Sequence, residues 1–350
     1  MELGSEFNLD MHNLRLSRTS FFEYMGNMNY SLFNSGRSAL KAISHTLGNG
    51  YILMPEYICD SVLKCFSPEK IVFYKLKDNL QIDANDLFAK INSSTAAVYL
   101  MHYFGTLQPM NVLALLCAEK EIYGFKIIED TTHSIFSQKQ TVGDYCVASL
   151  RKWFALPNAG VLYSDHDLHL HPDEIRRSVD NDKTYAMMLK TLCLKGVLDC
   201  NSVYRKIFNE CEARFGTEDE ISIISDYSEF LLHCNDVDDS VTKRKFNLNY
   251  LKDKLGTIGM KLLCEFTEKD CPFTLPVVVP DRDSFHKYLA DNKIYCAIHW
   301  PFDGLAANKR PLALTLANTV ISLPIDQRYG EEEMAYLFNV IAAYKGRLIF

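Results

Sequence analysis

The chain has 350 residues, 48% of them hydrophobic and 23% charged, enough for two domains or one large domain with an appendage. A formal net charge of −7 leaves no electrostatic footprint for nucleic acid, and no apolar run approaches the ~20 residues that span a bilayer. Eleven cysteines, odd in number and without a CxxC pair, argue against a disulfide framework or a zinc site. They fit the reduced thiols of a cytoplasmic protein.

Residues 1–30 are polar and aromatic without clear periodicity and read as an N-terminal arm. The stretch lacks the charged-then-apolar order of a signal peptide, and Gly4-Ser5-Glu6-Phe7 reads as a cloning remnant before a natural start at Met11. Asn34-Ser35-Gly36-Arg37-Ser38 then opens a helical pattern (Leu40, Ile43, Leu47) that stops at Gly48 and Gly50. Two readings stand for this turn. It is either a phosphate-binding helix start, with Arg37 and Ser38 adding contacts, or a plain N-cap beside a surface arginine.

Strands are expected at Tyr51–Pro55, Ile71–Tyr74, Ala96–Met101 and Ile127–Ile128, with helices between them around Val62–Phe66, Ile82–Ile91 and residues 111–123. That alternation continues to residue 164 and predicts an α/β fold with a mostly parallel sheet covered by helices on both faces. No GxGxxG or P-loop motif occurs. Residues 165–245 read as helical and charged, with amphipathic segments at Tyr185–Leu198 and Val203–Phe215. The run His166-Asp167-Leu168-His169-Leu170-His171 fits an exposed edge or loop better than a metal site. Beyond it, strands at Phe273–Val279, Ile294–Ile298 and Val320–Leu323 alternate with helices at Arg282–Asn292 and Glu331–Tyr344. The expected domains are the arm (1–30), a large α/β domain (31–245) and a small C-terminal α+β domain (246–350).

The densest chemistry lies in Ile127–Gly160. Asp130 ends an apolar run, which is how a buried parallel strand delivers an acid to the carboxyl edge of a sheet. His133 follows, and a second short strand from Tyr145 delivers Ser149, Arg151 and Lys152. An acid and an amine on neighbouring strand ends is the layout of a pyridoxal phosphate site. The amine forms a Schiff base and the acid holds the pyridine nitrogen protonated. Read without further context, Lys152 is better taken as a solvated lysine after an arginine and His133 as a satisfied helix-end histidine.

IIEDTTHS followed by GDYCVASLRKW resembles the DegT/DnrJ/EryC1/StrS family of sugar aminotransferases, fold-type-I enzymes similar to aspartate aminotransferase. NSGRSAL, LMPEYICDSV, VYLMHYFG, IYCAIHWP and ISLPIDQRYGEEEM resemble other family stretches in the family's order, so the likeness runs from about residue 30 through most of the chain. The resemblance implies pyridoxal 5′-phosphate on Lys152, with Asp130 at the pyridine nitrogen and His133 and Tyr57 beside the ring. It places Gly36, Arg37, Ser38 and Ser149 at the phosphate, and His299 and Arg151 near substrate. It also implies amino transfer from an amino acid such as glutamate to a nucleotide-linked keto sugar, in a homodimer whose sites lie at the interface.

Four departures stand out. Lys152 follows Ser149 by three residues where the family has five, Arg37 replaces a threonine, and Cys59 replaces a stacking aromatic. A counterpart of the asparagine-and-arginine segment that reaches the phosphate from the partner subunit is missing. The rivals are a non-catalytic family member acting as a binding or assembly partner, and a sugar dehydratase. The dehydratases carry histidine at the lysine position, so Lys152 argues against that chemistry.

Overall fold

The computed structural model describes residues 1–138, 141–166, 168, 170, 180–217, 221–301 and 307–349. In chain order it forms β1 (Leu3–Gly4), α1 (Phe21–Met25), β2 (Asn29–Phe33), α2 (Gly36–Ser44), β3 (Tyr51–Pro55), α3 (Asp60–Leu63) and β4 (Ile71–Tyr74). There follow α4 (Ala84–Phe88), β5 (Thr95–Met101), α5 (Met110–Tyr123), β6 (Lys126–Asp130), β7 (Tyr145–Ser149) and β8 (Gly160–Ser164). Next come α6 (Asn181–Leu194), α7 (Asn201–Thr217), α8 (Asp226–Cys234), α9 (Val237–Thr257) and β9 (Lys261–Leu262). The last elements are β10 (Leu275–Val278), α10 (Arg282–Asp291), β11 (Ile294–Tyr295), α11 (Pro311–Thr319), β12 (Val320–Leu323) and α12 (Glu331–Ala342).

The chain divides into two compact units. The first comprises Met1–Ser5, Leu47–Asp144 and Asp239–Phe350. In it β6, β5, β3 and β4 pair in that order, all parallel. Parallel neighbours need crossovers: α3 lies in the one between β3 and β4 and α5 in the one between β5 and β6, while α4 lies in the connection from β4 to β5. The near-continuous apolar runs of β3 and β5 follow, because helices cover both faces of such a sheet. The same unit holds an antiparallel sheet β12-β10-β9, packed with α10 and α12 around Leu275, Val277, Phe285, Leu289, Met334 and Leu337. Leu3 of the expected arm sits in that core, and β1 pairs with β11.

The second unit comprises Glu6–Thr46 and Tyr145–Asp238. Its strands β2, β8 and β7 run antiparallel in that order. β2 falls in the stretch read as an arm. Its residues grade from exposed Asn29 to buried Phe33 and give no alternation for periodicity to detect. The strand expected to carry Arg151 and Lys152 stops at Ser149, and a 3-10 turn over Leu150–Lys152 bears both side chains. The helical reading beyond residue 180 is borne out by α6, α7 and α8. Asp167, His169 and His171 of the histidine run lie outside the described residues. Among the described residues no helix is long and apolar enough to cross a membrane.

Gly160 opens β8 opposite Phe33, where a Cβ would lie 2.2 Å from the Ser35 carbonyl carbon. Backbone cannot yield as a flexible side-chain end does, so Gly160→Ala should destabilise the protein by about 2–3 kcal/mol, read as a lower urea midpoint. An unchanged midpoint would contradict this packing.

Candidate active site

Asp130 is the last residue of β6 and is 4% exposed. Burying a carboxylate in apolar surroundings is costly unless hydrogen bonds replace its water. Two donors do so here. The Tyr99 hydroxyl donates to Oδ2 at 2.6 Å, and the Thr132 amide donates to Oδ1 at 2.8 Å. A carboxylate has about four acceptor positions, so capacity remains for a further donor.

Three residues on, fully buried His133 accepts from the Phe104 amide through Nδ1 at 3.4 Å. Its ring stacks on Phe273 at 4.3 Å between centroids and on Trp300 at 5.7 Å. His299 stands edge-on to His133 at 5.3 Å and is held at Nδ1 by the Ser322 hydroxyl at 2.8 Å. Tyr57, after β3, stacks on Tyr103 at 5.7 Å and leans on Trp300 at 5.0 Å. Among the described residues the buried Tyr57 hydroxyl has no hydrogen-bond partner, and burial pushes its titration up. The first unit thus brings together His133, His299 and Tyr57 around Trp300. Trp300 and Phe273 were missed as site residues, although Trp300 lies within the quoted IHWP.

The loop carrying Tyr57 is fixed by a residue that sequence reasoning passed over. Buried Arg310 donates to the carbonyls of Glu56 and Ile58, both at 2.8 Å, and to the Asp60 carboxylate at 2.9 Å. Glu56 answers by accepting from the amides of Leu76 and Leu312. Cys59, at the expected position of a stacking ring, instead lies 3.1 Å from the Ser61 hydroxyl at the start of α3.

In the second unit Ser35 caps α2, its Oγ accepting from the Ser38 amide at 3.2 Å. The Ser35 and Ser38 hydroxyls both donate to Asn34 Oδ1. Gly36 lies against Ser149, where a Cβ would sit 3.5 Å from that of the serine, and Gly160 closes on the backbone of Ser35 and Gly36. Gly36, Ser38 and Ser149 are therefore brought together at the first turn of a nine-residue helix, whose dipole favours an anion. Arg37, on the same turn, is half-buried.

Lys152 is half-buried on the 3-10 turn, and its neighbour Arg151 is engaged by Glu212 of α7, with Nη2 to Oε2 at 3.2 Å. Lys183, 2% exposed, lies 2.8 Å from Glu212 and 3.6 Å from Glu6. Burial would raise the Glu212 carboxyl, but the guanidinium and the ammonium hold it well below the usual carboxylate range. Asn158 ties down the far end of the lysine segment through Asp180 and Ser225. No motif signalled Glu212, which reads as a polar position of the amphipathic segment Val203–Phe215, or Lys183, which lies just before the segment Tyr185–Leu198.

The donor set fits pyridoxal phosphate. In the first unit, a buried carboxylate with spare acceptor capacity suits a pyridine nitrogen; in the second, a glycine-and-serine helix start suits a phosphate and an amine on a short turn suits an aldehyde. Residues 13–154 match the model of the DegT/DnrJ/EryC1/StrS aminotransferase family. That span contains every cofactor candidate from Gly36 to Lys152. A search of curated proteins gives no match. Among solved structures, a DegT DnrJ EryC1 StrS aminotransferase from Brucella abortus superposes with a TM-score of 0.64 at 15% identity, over 93% of this chain and 88% of that one. The sugar aminotransferase CalS13 from Micromonospora echinospora gives 0.63 at 17%, over 90% and 87%. Spr1654 from Streptococcus pneumoniae in its PLP-form gives 0.62 at 14%, over 89% and 85%. The fold class and the family resemblance are borne out. With them the chain reads as a pyridoxal phosphate-dependent aminotransferase.

Glu212 carries a sign for pH dependence. Its folded pKa lies below the unfolded value near 4.5, so its stabilisation is present above that pH and is lost as acid protonates it. Glu212→Gln should lower the melting temperature at pH 7, and the gap from wild type should close as pH falls below about 4. A gap that stays constant between pH 7 and pH 3 would contradict the ion pair.

Proposed function

We propose that the protein transfers an amino group from an amino acid, with glutamate the expected donor, to a keto sugar carried on a nucleotide. The product is an amino sugar for surface polysaccharide or secondary-metabolite synthesis. The observation that carries this reading is the buried, doubly hydrogen-bonded Asp130 at the end of β6, in a span that matches a sugar-modifying aminotransferase family and retains Lys152.

Bound pyridoxal phosphate supplies an electron sink that stabilises negative charge at the substrate carbon losing its proton. The chain's own groups do the rest. Lys152 Nζ would hold the cofactor and would move the proton to and from the substrate carbon. Asp130 holds a proton at the pyridine nitrogen. The first turn of α2, with Gly36, Arg37, Ser38 and Ser149, holds the phosphate. His133 and Tyr57 flank the ring, and His299 contacts substrate. Arg151 was expected beside substrate and is committed here to Glu212. A cytoplasmic homodimer with sites completed at the interface belongs to the same reading, as does the division into arm, large domain and small domain.

The test is a screen of nucleotide-linked keto sugars with glutamate, read by mass spectrometry as replacement of the ketone by an amine. Wild type should aminate one of them, and Lys152→Ala should lose on the order of 10³-fold in rate. Loss of a sugar hydroxyl without gain of nitrogen would favour the dehydratase. A Lys152→Ala variant that fully complements a deletion strain would favour the non-catalytic partner.

A further inference from the structure

Tyr99 is wholly buried on β5, one strand from Asp130. In the parallel register Met101 pairs with Asp130 and Tyr99 with Ile128, so Tyr99 and Asp130 project to the same face, offset by one pleat. A side chain leaning along its strand bridges that offset, and the hydroxyl reaches Oδ2 at 2.6 Å. The ring is held in place. Phe66 meets it edge-on at 6.4 Å, and the Tyr74 hydroxyl donates to the Tyr99 carbonyl at 2.9 Å.

We propose that Tyr99 is a positioning residue of the reaction: its hydroxyl fixes the orientation of the Asp130 carboxylate, so that the aspartate can face the cofactor's ring nitrogen. This inference rests on the placement of Asp130 in the proposed function. Its argument is local. A hydrogen bond donated to a carboxylate favours the charged form, and in a dry site it is stronger than in water. The phenol serves only as donor, because burial first, and then the Asp130 charge, push its own titration well up. The Thr132 amide provides the second bond from backbone, so Tyr99 is the side chain that sets the balance. Other titratable groups of this unit face the pair at one remove. They are Tyr103, which also feels Tyr74, Tyr57 and Glu56, and Cys65 beside Tyr99.

The experiment is cofactor capture by the full-length protein, followed by absorbance from pH 9 to pH 5, for wild type, Tyr99→Phe, Asp130→Asn and the double variant. Removing the donor leaves the carboxylate without its side-chain anchor. Tyr99→Phe should therefore weaken capture by about tenfold and move the captured cofactor's absorbance in the direction that Asp130→Asn does. Asp130→Asn should weaken capture at every pH, and adding Tyr99→Phe to it should shift nothing further. A wild-type profile for Tyr99→Phe beside a weakened Asp130→Asn would overturn the role of Tyr99 and leave the proposed function standing. Wild-type capture by Asp130→Asn would overturn the placement of Asp130 itself. Should Tyr99→Phe fold poorly, fluorotyrosine at position 99 keeps the shape and donates more strongly. It should tighten capture relative to wild type, and unchanged capture would overturn the inference.

Discussion

A carboxylate removed from water is the constraint around which the first unit is arranged. Asp130 sits where β6 ends, and an unpaired charge there would cost several kcal/mol or simply pick up a proton. Tyr99 from the neighbouring strand and the Thr132 amide supply the hydrogen bonds that replace its water. The residue before it shows the same economy on the opposite face. Glu129 accepts from His102 at 3.0 Å and from the amides of Val142 and Gly143, while His102 Nδ1 accepts from the Gln108 amide. With Nδ1 accepting, the His102 proton sits on Nε2, and a neutral imidazole can donate to the glutamate. Adjacent acids thus serve opposite ends. One accepts three hydrogen bonds and anchors a loop, and the other accepts two and keeps acceptor capacity.

The second unit handles charge by pairing instead. Arg151, Glu212, Lys183 and Glu6 form a chain of alternating sign around the turn that bears Lys152. Removing one member leaves another buried charge uncompensated, which is why such networks act as units. Set against the family resemblance, the lysine segment reads as two residues short. The Arg151–Glu212 pair and the Asn158 bonds hold its two ends, so the shortened turn has defined anchors of its own.

Much of the first unit was legible because its signals are local. β3 and β4 appear with the boundaries read from their apolar runs, and β5 differs by one residue. The lysine strand was read too long, since Leu150 continues the apolar run while the backbone has already turned. β2 was invisible because an edge strand with one buried residue carries no period. The sites divide in the same way. Asp130, His133 and Lys152 stood out as residue types at strand ends. Tyr99, Trp300, Arg310 and Glu212 did not, because what distinguishes them is a partner far away in sequence. Arg310 reaches back 250 residues to Asp60, and no spacing rule encodes that.

The central claim is that this chain carries its cofactor on Lys152. The most direct measurement is peptide mapping of the protein after incubation with pyridoxal phosphate and reduction with borohydride. The account predicts one modified peptide, with the added mass on Lys152. A modification confined to another lysine, or no modification at all, would contradict it.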